Sequence, residues 1–191
     1  MIRLGDALMN ISALPGYYSA WLVPVLGIIA VVGVLGAQQE INVLMTWDTR
    51  IPLLGERLSM TGLAELQWHI LSLLVMLAGA YALREDSHIR VDLFSARFSA
   101  RTQRLIDLIG DLFLLLPFFA LLMWFSFKAA QNAFNFGEQS NSGGLIDRYL
   151  VKAVLPIGCG LLLLAGLGRS LRNLGLLLCP DDAVVPSKES A

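Results

Sequence analysis

The sequence predicts an all-α integral membrane protein with four transmembrane helices, N- and C-termini cytoplasmic, and an interfacial amphipathic helix between the second and third spans. Three observations carry that expectation. Of 191 residues, 56% are hydrophobic and only 15% charged, against roughly 25% charge in an average soluble domain, and the mean hydropathy is +0.66. Intervals without Asp, Glu, Lys or Arg cover residues 7–39, 66–83, 112–127 and 153–168. Trp21, Trp47, Trp68, Trp124, Tyr17, Tyr18 and Tyr149 fall near the ends of those intervals, where amphipathic rings prefer the headgroup level.

The same composition excludes other classes. So few charges cannot cover a soluble globule of this size, which removes the cytosolic enzyme. A net charge of −1 offers no basic excess to neutralise phosphates, which removes nucleic-acid binding. Cys159 and Cys179 provide neither a disulfide framework nor a metal-ligand spacing. No catalytic residue, substrate site, metal or cofactor is expected.

A bilayer core about 30 Å thick needs roughly 20 helical residues. The first two intervals reach that length with their flanks, giving spans at about 18–44 and 63–83. The last two are 16 residues each, or roughly 24 Å, and are lengthened by Lys128, Lys152 and Arg169, whose apolar stems can snorkel. They give spans at about 106–127 and 150–172. Pro24, Pro117 and Pro156 lie inside spans and predict kinks. Four spans put nine Lys and Arg on the side of the N-terminus and second loop and five on the other. The positive-inside rule therefore places the termini in the cytoplasm. The N-terminal apolar region is too long and starts too late for a cleaved signal peptide. The polar, proline-marked segment 179–191 reads as a disordered tail.

Five groups of residues could carry function. Glu65, Trp68 and His69 open the second span, and Ser72, Met76 and Gly79 continue the Glu65–His69 face at helical spacing. A stripe of polar and then small residues marks a face that packs against protein rather than lipid. The segment from Arg84 through His88 and Arg90 to Asp92 can form an i, i+4, i+8 ladder of cation, imidazole and carboxylate. That ladder suits the turn where the helix leaves the membrane. Residues 91–105 read as a helix in the membrane plane, with Arg97, Arg101 and Arg104 reaching lipid phosphates. Glu40, with Gln38, Gln39 and Asn42, forms a polar patch expected at the outer surface, and Asp107 and Asp111 share the inner edge of the third span.

Together these motifs resemble a known family. Glu65-Leu-Gln-Trp-His69, Gly79-Ala-Tyr-Ala-Leu-Arg84 and His88-Ile-Arg-Val-Asp92 are similar to the small membrane subunit of tripartite ATP-independent periplasmic (TRAP) transporters, over about residues 20–175. The first helix departs from the usual pattern, because Asn42-Val43 is followed by Leu44-Met-Thr-Trp-Asp48 without the family's Arg-Tyr element. The resemblance implies a multi-pass protein of the bacterial inner membrane and two protein partners. One is a large membrane subunit carrying the substrate and sodium sites; the other is a periplasmic binding protein that delivers an organic acid. It implies a stationary scaffold role, with Glu65, Trp68, His69, Ser72 and Gly79 as the candidate contact with the large subunit.

Two other readings compete. A haem-bearing membrane anchor would need facing axial histidines. Only His69 and His88 exist, 19 residues apart, roughly 28 Å along a helix, so they cannot ligate one haem within a chain. A self-sufficient proton-coupled exporter would use Glu40 or Glu65 as its carrier.

Overall fold

Each of the four apolar intervals forms a helix long enough to cross a bilayer: Ile2–Gln38, Met60–Arg84, Ala100–Asn135 and Tyr149–Leu178. The computed structural model describes residues 1–86 and 98–178. In chain order the elements are α1 (Ile2–Ser19), α2 (Leu22–Gln38), β1 (Val43–Ile51), β2 (Gly55–Ser59), α3 (Met60–Arg84), α4 (Ala100–Gly110), a π-helical turn at Asp111–Leu115, α5 (Leu116–Asn135), α6 (Tyr149–Lys152) and α7 (Val154–Leu178). The four-span architecture stands as expected, while several boundaries move.

The largest correction is in the first span. Sequence places it at 18–44, but the helix starts at Ile2 and ends at Gln38. Residues before 18 mix polar and small side chains with apolar ones. Gly5, Met9, Ser12, Ala13, Gly16 and Ser19 nevertheless form a buried stripe at helical spacing. Such small residues let backbones approach closely. A Cβ on Gly168 of α7 would lie 2.8 Å from the Gly5 carbonyl oxygen, and one on Gly16 would lie 2.6 Å from Tyr81 Cβ of α3. At the other end Glu40 takes a left-handed φ of 55° and the chain turns into β1. The polar run Gln38–Glu40 ends the helix, and all three residues are exposed there.

Three departures from regular helix precede prolines. A proline lacks an N–H and its ring presses on the carbonyl four residues earlier. Pro24 follows the break at Ala20–Trp21, where the Val23 N–H donates to Ala20 over three residues rather than four. Pro117 follows the π-turn, in which the Leu116 N–H reaches back to the Asp111 carbonyl. Pro156 follows the break at Ala153 that separates α6 from α7.

The third span also differs from expectation. Ser99 caps α4, its hydroxyl accepting from the Thr102 N–H at 3.3 Å, and the helix continues to Asn135. Residues 100–105 are therefore helically continuous with the third span. The remainder of the expected interfacial helix, with Arg97, lies outside the described residues, as do His88, Arg90, Asp92 and the segment 179–191.

Consecutive spans run in opposite directions, so α3 and α7 lie parallel, Met76 beside Gly158 and Gly79 beside Leu162; Ala80, Leu83, Leu162 and Ala165 are buried together between them, with Leu115, Phe119 and Leu161 packed against them. Helix α1 lies across both, and Gly175 of α7 sits beside Ile2. One end of the bundle thus holds the N-terminus and the end of α7. The opposite end is covered by an antiparallel hairpin of β1 and β2, which pairs Ile51 with Gly55 and Thr46 with Arg57. The sequence reading contained no strand. Leu53, in the hairpin turn, is held at a φ of 74°, a conformation uncommon outside glycine. Its carbonyl accepts from the Ile146 N–H at 2.9 Å, which ties the turn to the loop between α5 and α6.

Candidate functional site

The start of α3 is the point on which the hairpin end is organised. Ser59 caps the helix, accepting from the Gly62 N–H at 3.0 Å, and the Met60 N–H donates to Asn42 at the head of β1 at 3.0 Å. The cap sets the helical register so that Glu65, one and a half turns in, points at the loop 136–148. Its carboxylate accepts from the Ser140 hydroxyl and from the Leu145 N–H at 2.9 Å. Gly144 leaves the room: a Cβ there would lie 2.6 Å from Glu65 Oε2. Leu145 is itself buried, with 1% of its surface exposed. Glu65 is thus the latch that holds an irregular loop on the bundle.

Further ties fix the same loop. Lys152 donates to Glu138 at 2.5 Å, and Arg50 of β1 pairs with Asp147 at 3.0 Å. The Trp47 indole N–H donates to the Gly55 carbonyl at 2.6 Å, closing the hairpin on itself. The hydrogen bond from Lys152 holds the Glu138 carboxyl below the usual carboxylate range, against an opposing effect of burial.

The stripe that sequence drew on α3 divides in two. Met76 and Gly79 turn inward: a Cβ on Gly158 of α7 would lie 2.7 Å from Met76 Cβ, and one on Gly79 would lie 3.1 Å from Leu162. These small residues do pack against protein, but the protein is this chain's own last helix. Glu65 is committed to the loop. Trp68, by contrast, is 69% exposed, and Leu71, Ser72 and Val75 share its outward face. Ser72 satisfies its hydroxyl on the Trp68 carbonyl at 2.8 Å. His69 lies between the two faces, its Nδ1–H donating to the Glu65 carbonyl at 2.5 Å.

Above the Met76–Gly158 contact, α3 and the start of α7 leave a groove of about 480 Å³. Its walls include Leu71, Val75, Val154 and Leu155, and its mouth carries His69, Arg148 and Lys152. The loop tether and the groove were not visible in the sequence, because Ser140 and Leu145 lie 75 and 80 residues beyond Glu65.

At the opposite end, the inner carboxylate Asp107 is half-buried. Asp111 is buried, 1% exposed, and Arg169 of α7 forks onto it, Nε donating at 2.7 Å and a terminal nitrogen to the other oxygen. Sequence read Arg169 as a snorkelling cation; it is instead the partner of Asp111, at the π-turn. Arg84 closes α3 near Glu85, at 3.5 Å, where a cation suits the helix C-terminus. Arg101 is exposed and Arg104 half-buried on the first turns of α4. Among the described residues no group of three or more His, Cys, Asp or Glu could hold a metal ion.

The charged side chains of the spans thus serve mainly to pin helices and loop to one another, while long apolar faces stay uncovered. In α2 only Gly36 is buried, which is far more apolar exposure than a soluble helix would tolerate. None of the curated proteins gives a significant match to the chain, and none of the solved structures does. The family model of the tripartite ATP-independent periplasmic transporters, DctQ component, matches residues 53–175, from the hairpin turn through most of the last helix. That match spans well over half the chain, and the protein belongs to the DctQ family, the small multi-pass component of TRAP transporters.

Proposed function

We propose that this chain is the static scaffold of a binding-protein-dependent secondary transporter in a bacterial inner membrane. It braces a large membrane subunit that takes up an organic acid on a sodium gradient. The hairpin end faces the periplasm, where a substrate-binding protein docks, and both termini face the cytoplasm, in keeping with the excess of Lys and Arg at that end. The chain performs no catalysis and carries no cofactor.

One observation carries this reading. The carboxylates that could serve as carriers inside the bundle are already spent: Glu65 on Ser140 and Leu145, Asp111 on Arg169. A transport site needs polar groups that exchange partners during the cycle. A brace needs them fixed and needs uncovered apolar surface outside, as on α2 and α5. The face offered to the large subunit is the outward stripe of α3, Trp68 and Ser72, with His69 at its edge; Glu65 and Gly79 shape that stripe from within. Arg84, His88, Arg90 and Asp92 form the turn to the membrane surface, and Arg97, Arg101 and Arg104 contact lipid headgroups.

The test is reconstitution. Tagged and extracted in mild detergent, the chain is expected to bring down a second, larger polytopic protein. Vesicles holding both, with the binding protein outside, should accumulate the organic acid on a sodium gradient. Accumulation by vesicles holding this chain alone would refute the proposal.

A further inference from the structure

The groove between α3 and α7 has an unusual division of character. The charged residues that line it are both cations, Arg148 and Lys152, and both sit at its mouth. No carboxylate among the described residues lines it: Glu65 is turned into the loop, and Glu138 sits on the Lys152 ammonium. Lys152 is shared with Glu138. Arg148 is half-buried; its guanidinium lies within electrostatic reach of the Glu65 and Glu138 carboxylates but makes no ion pair or side-chain hydrogen bond among the described residues. A half-buried cation whose carboxylates stand off without direct contact still gains from an anion that reaches it with hydrogen bonds.

Below the mouth the walls are apolar. Val75 is exposed on one side and Leu155 faces it from the other. From Trp68 to the Met76–Gly158 contact that closes the floor is eight residues, roughly 12 Å of helix. The groove is therefore charged at the bilayer edge, apolar beneath, and open sideways.

We propose that this groove is a site for one phospholipid of the hairpin-side leaflet. Its phosphate sits between Arg148 and Lys152, and the upper part of an acyl chain lies along Val75 and Leu155. A phosphate suits a guanidinium, which offers paired donors. A wholly protein occupant would have to supply both an anion and a long flexible apolar chain in the same narrow space. Trp68, His69 and Ser72, the stripe offered to the large subunit, also line the groove, so the lipid lies at the edge of that contact.

The experiment uses the full chain expressed without any partner. It is purified in mild detergent, incubated with phosphatidylglycerol vesicles, re-extracted and examined by native mass spectrometry. One phosphatidylglycerol per chain is expected to survive detergent exchange. Arg148→Gln removes the cation and Val75→Trp fills the apolar part without touching a charge. Each should lower occupancy at least tenfold, while Arg57→Gln on the hairpin leaves it unchanged. Circular dichroism checks that the variants fold, and Ser72→Phe replaces Val75→Trp if that variant does not. Absence of a retained lipid on the wild-type chain would overturn the proposal, as would loss in Arg148→Gln alone, which marks a surface ion contact. Unchanged lipid occupancy in Arg148→Gln would overturn it too.

Discussion

Replacing Arg169 by leucine should be the most damaging single change at the inner end of the bundle. The substitution leaves the Asp111 carboxylate, whose side chain is 2% exposed, without either of its two charged hydrogen bonds. Stranding one member of a buried ion pair costs about 3–5 kcal/mol, a shift of two to three and a half decades in the folding equilibrium. Asp111→Asn should cost less, about 1.5–3 kcal/mol, the worth of one hydrogen bond to a charged group. It keeps an acceptor for Arg169, which is 18% exposed and can still reach water. The double variant Asp111→Leu with Arg169→Leu removes both charges together and should be milder than Arg169→Leu alone, since buried pairs replaced by apolar side chains are often neutral. The assay is equilibrium unfolding in mixed micelles, read as a double-mutant cycle. An unchanged midpoint in Arg169→Leu, or a double variant as unstable as the sum of the singles, would refute the argument that this pair is buried and mutually compensated.

Three other outcomes follow from the same geometry. Glu65→Ala should raise amide hydrogen exchange across 136–148 while leaving the core of α3 protected; Gly144→Val should reproduce it, because its Cβ would meet Glu65 Oε2 at 2.6 Å. Gly168→Ala, whose Cβ would lie 2.8 Å from a backbone oxygen, should destabilise by about 1–3 kcal/mol in thermal unfolding. Gly160→Ala, with nothing nearer than 3.8 Å, should be neutral. Glu138 is held below the usual carboxylate range by Lys152, so its contribution is fully present above the unfolded-state value and fades as pH falls through the lower folded value. Lys152→Met should return the Glu138 titration, followed by side-chain carbon NMR, to the ordinary range; no movement would disprove the link.

Sequence revealed the parts of this fold that depend on transfer from water to lipid. Four charge-free intervals gave four helices, because excluding charge over that length is itself the physical requirement. It failed where stability comes from shape. Helix α1 is buried through Gly5, Ser12, Ala13 and Gly16, residues that carry little hydropathy and announce nothing until a second backbone lies against them. The hairpin was missed because Val43–Ile51 does not alternate cleanly and its pairing slips twice. At the site, helical spacing puts Glu65, His69, Ser72 and Gly79 on one stripe of α3, whereas the fold turns Gly79 inward and leaves Ser72 exposed. Spacing could not tell which of them would meet a loop, a neighbouring helix or the exterior, since those partners lie far along the chain. Asp111 stood out as one of two carboxylates at an edge, but its partner is 58 residues away.

That separation has a bearing on biosynthesis. A ribosome adding about 5–20 residues per second needs roughly 3–12 s to supply Arg169 after Asp111 has emerged. During that interval the third helix carries an uncompensated carboxylate where the finished protein has a neutral pair. Lateral release of that segment from the insertion machinery is therefore unfavourable until the fourth helix arrives, and the two are best delivered to the lipid as a hairpin.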